Sequence, residues 1–171
     1  MLVDETMNQG YSSNSESTLE KRLNFSFVIE KKLAGLAHPR LVQPDYLWVD
    51  FLFKKGVRLL INLTEYDYNL SVGSEIGIYH YPVVDFGVMS LDQMDSIWDR
   101  YKALGRHEAM AVHCLAGRGR TGTVLACIVA REFDMKPLDA VFFIRNLRPG
   151  SIETGQQEEF IEEWVFARSS P

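Results

Sequence analysis

Apolar and polar positions alternate along the chain in blocks of two kinds, and these predict strands interleaved with helices. Pro44-Asp45 opens a helix that carries Leu47, Phe51 and Leu52, and Gly56 suits its C-terminal stop. The run Val57 to Leu63 is short, apolar and partly β-branched, the pattern of a buried strand. Ile78 to Tyr81, followed by Val83-Val84, reads as a second strand, and Met110 to His113 as a third. Ser90 and Gln93 form a capping box, after which Met94, Ile97, Trp98, Tyr101 and Leu104 recur at helical spacing. Residues Thr123 to Arg131 are apolar almost all round, which predicts a helix in the middle of the fold. Pro137 starts another helix, with Leu138, Val141, Phe142, Ile144 and Leu147. Thr154 and Gln157 make a second capping box before Phe160, Ile161, Trp164 and Val165. Strands alternating with helices over short connections predict an α/β fold with a mostly parallel central sheet flanked by helices.

The first 22 residues are rich in Ser, Asn, Glu and Gln and are expected to be a flexible polar tail. Phe25, Phe27, Val28 and Ile29 mark the start of the region that can fold, and a single domain over 23–169 is the simplest partition. A net charge of -5 argues against sequence-independent nucleic-acid binding, which needs a basic face, although a small positive pocket remains compatible with it. The two cysteines, Cys114 and Cys127, do not make a disulfide framework, so a reducing compartment is expected. No apolar stretch reaches membrane-span length, and the polar N-terminus is unlike a secretory signal. The expectation is an intracellular protein, cytoplasmic or nuclear, and a monomer.

Chemistry concentrates in Val112-His113-Cys114-Leu115-Ala116-Gly117-Arg118-Gly119-Arg120-Thr121-Gly122. A strand delivers a cysteine into a tight loop with two glycines, an arginine closes it, and a helix follows. Backbone N–H groups of Leu115, Ala116, Gly117, Arg118, Gly119 and Arg120 can turn inward as an anion nest at a helix N-terminus. Gly117 and Gly119 are expected to supply the backbone angles of a curled loop. The Arg120 guanidinium can hold two phosphate oxygens at once. The same positive surroundings favour the Cys114 thiolate over the thiol and lower its pKa. A thiolate beneath a phosphoryl group is placed for in-line attack. The bland alternative is a buried cysteine in a turn, beside an arginine paired with a surface carboxylate.

These residues resemble the signature of the protein tyrosine phosphatase superfamily, His-Cys, five residues, Arg, then Ser or Thr. More narrowly the chain is similar to the small atypical dual-specificity phosphatases, most of all the short VHZ-type members. The likeness extends through Leu33-Ala34-Gly35-Leu36-Ala37, Pro39-Arg40-Leu41, Leu63-Thr64-Glu65, Leu125-Ala126-Cys127 and Ile144 to Thr154. The resemblance implies a central sheet flanked by helices and a phosphocysteine on Cys114. It also implies an aspartate general acid on a loop upstream, a place that Asp85 fills. Asp92 is the nearby competitor, and reads better as a helix-start carboxylate; capping its own turn is the structural role open to Asp85. Thr121 takes the family's place for a hydroxyl donated to the departing thiolate, and can equally be a helix N-cap. Gln157 lies where some relatives place a water-orienting glutamine, while its capping-box position explains it without catalysis; Gln156 is adjacent and could take that part. His113 is expected under the loop, hydrogen-bonded to backbone and tuning the thiolate. Cys127 reads as a core residue. His38, His80 and His107 show no metal-ligand spacing with the cysteines, and no cofactor is expected.

Arg118 departs from the uncharged residue that many protein phosphatases carry inside the loop. It is either a solvent-facing side chain paired with an acidic neighbour or an extra cation of the kind phosphoinositide phosphatases place there. The loop after Asp85 also lacks the prolines common in relatives. The leading expectation is a dual-specificity phosphatase acting on phosphorylated proteins. The alternatives are the same chemistry on a phosphoinositide or an RNA 5′-phosphate, and a phosphoprotein-binding module without turnover.

Overall fold

The structure, a computed structural model, describes residues 16–68 and 75–168. Residues 16–22 are helical (α1), followed by β1 (Ser26–Ile29), β2 (Leu33–Leu36), a 3-10 turn (Pro39–Leu41), α2 (Asp45–Lys54), β3 (Val57–Asn62) and β4 (Gly77–His80). Then come α3 (Leu91–Lys102), β5 (Ala109–His113), α4 (Gly119–Glu132), α5 (Pro137–Leu147) and α6 (Gly155–Ala167). The strands order as β1-β2-β5-β3-β4, with β1 antiparallel to β2 and the other pairs parallel. This is the mostly parallel central sheet that the alternation of patterns predicts.

Both faces of the sheet are covered, because side chains on a strand alternate between them. Leu33, Leu59, Ile61, Met110 and Val112 join a core with Met94, Ile97, Tyr101, Val124, Ile128, Ile144, Phe160, Ile161 and Trp164, from α3 to α6. Ala34, Leu36, Leu60, Ala109 and Ala111 face a second core with Trp48, Phe51 and Leu52 of α2. Small alanines on β5 let α2 approach the sheet, and α4 is buried from Gly119 to Ala130 between the sheet and α5 and α6.

The β1–β2 hairpin goes beyond the strands that periodicity predicts. Its turn uses Lys31 at φ 57 rather than a glycine or asparagine, so the usual turn signature is missing. Most of the expected tail, 1–15, lies outside the described residues, but 16–22 are helical where a tail is expected. Lys55 pairs with both Glu16 and Glu20 at 2.8 and 2.6 Å, and Leu23 behind them is fully buried. Among the described residues no helix is long and apolar enough to cross a membrane.

Parallel pairing sets the C-terminal ends of β2, β3, β4 and β5 at one edge of the sheet, where ligands of open α/β folds bind. That edge receives Ala37-His38, Leu63-Thr64-Glu65, the 81–87 segment and Cys114.

Candidate active site

The loop after β5 is shaped by what its carbonyls do. Cys114 O accepts from His113 Nδ1 at 3.1 Å, Leu115 O from His38 N at 2.9 Å, and Ala116 O from Asn24 Nδ2 at 3.3 Å. Gly117 O accepts from Arg148 Nη2 at 2.8 Å and Arg118 O from Gly122 N at 2.7 Å. Five successive carbonyls are thus turned toward donors outside the loop's hollow. In a trans peptide the N–H points opposite to the C=O, so the N–H groups of residues 115–119 face the concave side. Those of Gly119 and Arg120 are also free first-turn donors of α4. An anion above Cys114 would meet all of them.

Gly117 has φ 71, and a Cβ there would lie 2.4 Å from the Leu36 backbone, so its conformation and its contact both require glycine. Gly119 differs from expectation. It begins α4 with helical backbone, and a Cβ there would meet only movable side-chain ends, Glu153 Oε2 first and then the Gln157 amide.

Arg120 is buried, and three elements meet on its guanidinium. Nη1 donates to Glu65 Oε2 at 2.9 Å and to the Val83 carbonyl at 2.8 Å, while Nη2 pairs with Asp85 Oδ1 at 3.0 Å. Asp85 is thereby brought over the loop, and it also caps its own turn through Phe86 N at 3.0 Å. Asp92 stays in the first turn of α3, as its helix-start reading expects. Glu65 Oε1 accepts from Asp85 N at 3.0 Å. Thr154 Oγ1 donates to Phe86 O at 3.4 Å, and Gln157 Nε2 to Gly87 O at 3.3 Å. The 85–87 segment is held from both sides.

His113 is fully buried. Its Nδ1–H donates to Cys114 O, so Nε2 accepts from the Tyr68 hydroxyl at 2.8 Å. Burial, aided by the neighbouring His38, Arg120 and His80, pushes its pKa down to about 3. It acts on the loop as a neutral hydrogen-bonding group. Thr121 is not an N-cap: α4 starts two residues earlier, with Arg118 at the cap position, and among the described residues the buried Thr121 hydroxyl has no hydrogen-bond partner. Gln157 completes the capping box, its Oε1 accepting from Glu153 N at 2.7 Å and Thr154 N at 3.3 Å, and it is buried beside Gly119; Gln156 is exposed. Arg118 is exposed, with its stem near Gly150, as the solvent-facing reading has it, but among the described residues it makes no ion pair with an acidic neighbour. Cys127 is a core residue in α4 and both cysteines are free. His80 Nε2 donates to Thr64 O at 2.8 Å, steadying the turn that presents Glu65.

Three residues at this edge escape periodicity and spacing alike: Glu65, Tyr68 and Arg148. Glu65 lies just past the C-terminal end of the interior strand β3, a place where parallel sheets put ligand-facing groups, and that position is the signal the sequence offers. Nothing local marks the other two.

Comparison with known proteins agrees with this geometry. Residues 22–161 match the family model described as PTP-SAK, Swiss Army Knife protein, DSP-PTPase phosphatase domain. The chain is 35% identical over 152 residues to the dual specificity protein phosphatase CDC14A of Homo sapiens, covering 82% of this chain and 25% of that protein. It is 31% identical over 161 residues to the protein tyrosine phosphatase domain-containing protein 1 of Mus musculus, covering 82% of this chain and 21% of that protein. The chain therefore spans only a quarter or less of the length of these relatives. Among solved structures it resembles Tk-PTP in its active form, with a TM-score of 0.70 at 22% identity over 83% of this chain and 96% of that one. Human DUSP28 gives 0.71 at 17% identity, over 85% and 95%. These likenesses show the fold, while the family match reaches across the loop, Glu65, Asp85 and Gln157 together. The chain belongs to the protein tyrosine phosphatase superfamily, among its small atypical dual-specificity phosphatases.

Proposed function

We propose that the chain hydrolyses phosphate monoesters of phosphotyrosine, and of phosphoserine and phosphothreonine, through a phosphocysteine on Cys114. The observation that carries this reading is the row of outward-turned carbonyls from Cys114 to Arg118, which leaves a ring of N–H donors above a cysteine. Phosphate oxygens would occupy that ring and take Arg120 from its carboxylate partners. The Cys114 thiolate attacks phosphorus, the S–P bond forms as the ester P–O bond breaks, and Asp85 gives its proton to the leaving oxygen. Water then attacks the phosphocysteine, Asp85 takes back a proton, and inorganic phosphate leaves. The Thr121 hydroxyl, unpartnered among the described residues, is suited to donate to the thiolate released in this step. Gln157, with both ends of its amide already engaged, fits a role in holding the 85–87 segment rather than in orienting water. Exposed Tyr66, Val84, Phe86 and Leu115 are chain neighbours of Glu65, Asp85 and Cys114, and offer apolar surface to a substrate side chain.

The test is hydrolysis of a small aryl phosphate, without added metal, by the wild type, Cys114→Ser and Asp85→Asn. Turnover is expected in the wild type, absent in Cys114→Ser and lowered roughly a hundredfold in Asp85→Asn. A folded, reduced wild type without turnover would leave phosphate capture as the function. Arg118, exposed and unpaired among the described residues, supports a second reading with a phosphoinositide as substrate. Comparing turnover on phosphotyrosine peptides and phosphoinositide headgroups, before and after Arg118→Ala, separates the two.

A further inference from the structure

Arg148 is the C-cap residue of α5 and is 4% exposed. Its Nη1 donates to Asn24 O at 2.9 Å, Ser26 Oγ at 2.6 Å and Gly35 O at 2.9 Å; its Nη2 donates to Gly117 O at 2.8 Å. Gly35 makes room for it, since a Cβ there would lie 2.9 Å from Arg148 Nε. All four acceptors are uncharged, and among the described residues Arg148 forms no ion pair. A buried guanidinium without a counter-charge is costly. Burial lowers its pKa to about 10, and the acidic group that opposes this is Cys114.

Beyond the backbone N–H groups of the loop and of α4, the other side-chain charges around Cys114 do not sum to a positive charge. Arg120 is matched by two carboxylates, Glu65 and Asp85, so that cluster sums to one positive and two negative charges. Glu153 adds a carboxylate beside Gly119. His113 is neutral, bonded to Tyr68, and His38, whose pKa burial also lowers, lies beyond it with ring centroids 5.1 Å apart. Arg118 faces solvent, where its charge is screened.

We propose that Arg148 is a positioning residue: it fixes the Gly117 carbonyl, and its uncompensated charge makes Cys114, held as thiolate, the counterion of a cation outside the signature loop. This rests on reading Cys114 as the nucleophile, and the test is read on the thiol rather than on turnover. Alkylation of Cys114 by iodoacetamide is followed by peptide mass across a pH series in the full chain, for wild type, Arg148→Met and Arg148→Lys, with thermal unfolding as the check on folding. Buried Cys127 serves as the internal reference. In Arg148→Met the alkylation midpoint is expected to rise by about one pH unit, roughly a tenfold slower reaction on the acid side. Arg148→Lys, which keeps the charge, is expected to stay near wild type. A folded Arg148→Met with the wild-type profile overturns the proposal while leaving the phosphatase reading intact. A wild type that alkylates as a thiolate yet turns nothing over removes the phosphatase reading alone. If Arg148→Met does not fold, Arg148→Gln decides on the same reading: a rise of about one pH unit supports the proposal, and the wild-type profile in folded protein overturns it.

Discussion

Glu65 serves two donors with one carboxylate, Oε2 taking Arg120 Nη1 and Oε1 taking the backbone N–H of Asp85. A backbone hydrogen bond of its own and the one from Arg120 hold its pKa below the usual carboxylate range, so it is ionised at neutral pH. It therefore keeps the guanidinium and the acid-bearing segment in register. Glu65→Gln keeps one acceptor for two N–H donors, and loss of one such bond weakens placement of Asp85 by about 1 kcal/mol. Turnover should fall roughly fivefold with alkyl or phenyl phosphates, whose leaving oxygens need protonation, and much less with a nitrophenyl ester. Measuring kcat across leaving groups checks this, and an equal loss on all of them would show that Glu65 does not act through Asp85. Cys114 and Arg120 were legible because their spacing lies within one strand and one loop, and Asp85 only through the place the resemblance gives a general acid. Glu65 and Arg148 were not, because their partners stand 55 and 31 residues away, at Arg120 and Gly117, and only the folded sheet brings them together.

Helices announced themselves through their ends and strands did not. Both capping boxes, Ser90 with Gln93 and Thr154 with Gln157, stand where the sequence places them, since a cap is a local pattern of side chain and backbone. The β1–β2 hairpin lacked such a pattern, with Leu33-Ala34-Gly35-Leu36 poor in β-branched residues and a lysine at its positive-φ turn. Periodicity also puts the start of α4 late, at Thr123 rather than Gly119, because the glycines there mask a helix whose first turn is buried against α6. That early start carries Arg120 and Thr121 on the first turn, rigidly, instead of on a loop. The second capping box has work beyond its own helix. Thr154 Oγ1 accepts from Gln157 N at 3.2 Å and donates to Phe86 O, so the cap of α6 is also a tether for the 85–87 segment. Thr154→Ala should destabilise the protein by about 1 kcal/mol and lower Tm by about 2–4 °C, and Thr154→Ser should restore most of it. An unchanged melting temperature in the alanine variant would mean that the cap contributes nothing to the fold.

For the molecule as a whole, the groups buried under the site set how stability answers to acid. His113 titrates at the ordinary value of 6.5 when unfolded, and burial carries it to about 3 in the fold. Between those values the unfolded chain binds a proton that the folded chain refuses. The stability owed to neutral His113 is therefore complete above pH 6.5 and is lost progressively as pH falls, by at most about 1.4 kcal/mol per pH unit. Protonation would also leave Nε2 unable to accept from Tyr68, so the cost falls on the contact beneath the loop. His38, lowered by burial as well, adds in the same direction. The carboxylates Glu65, Asp95 and Glu132 have folded pKa values held below their ordinary 4.5 or 3.8, so their stabilisation is lost only at more acid pH. The two contributions separate along the pH axis. Urea unfolding of the wild type should show stability falling by about 1 kcal/mol between about pH 6.5 and 5.5, before Glu65, Asp95 and Glu132 lose their contribution. In His113→Asn, which removes the titrating group, that early fall should shrink to the part owed to His38. A wild type that stays level over this interval and weakens only below 4.5 would place its acid sensitivity in the ion pairs and not in the buried histidine.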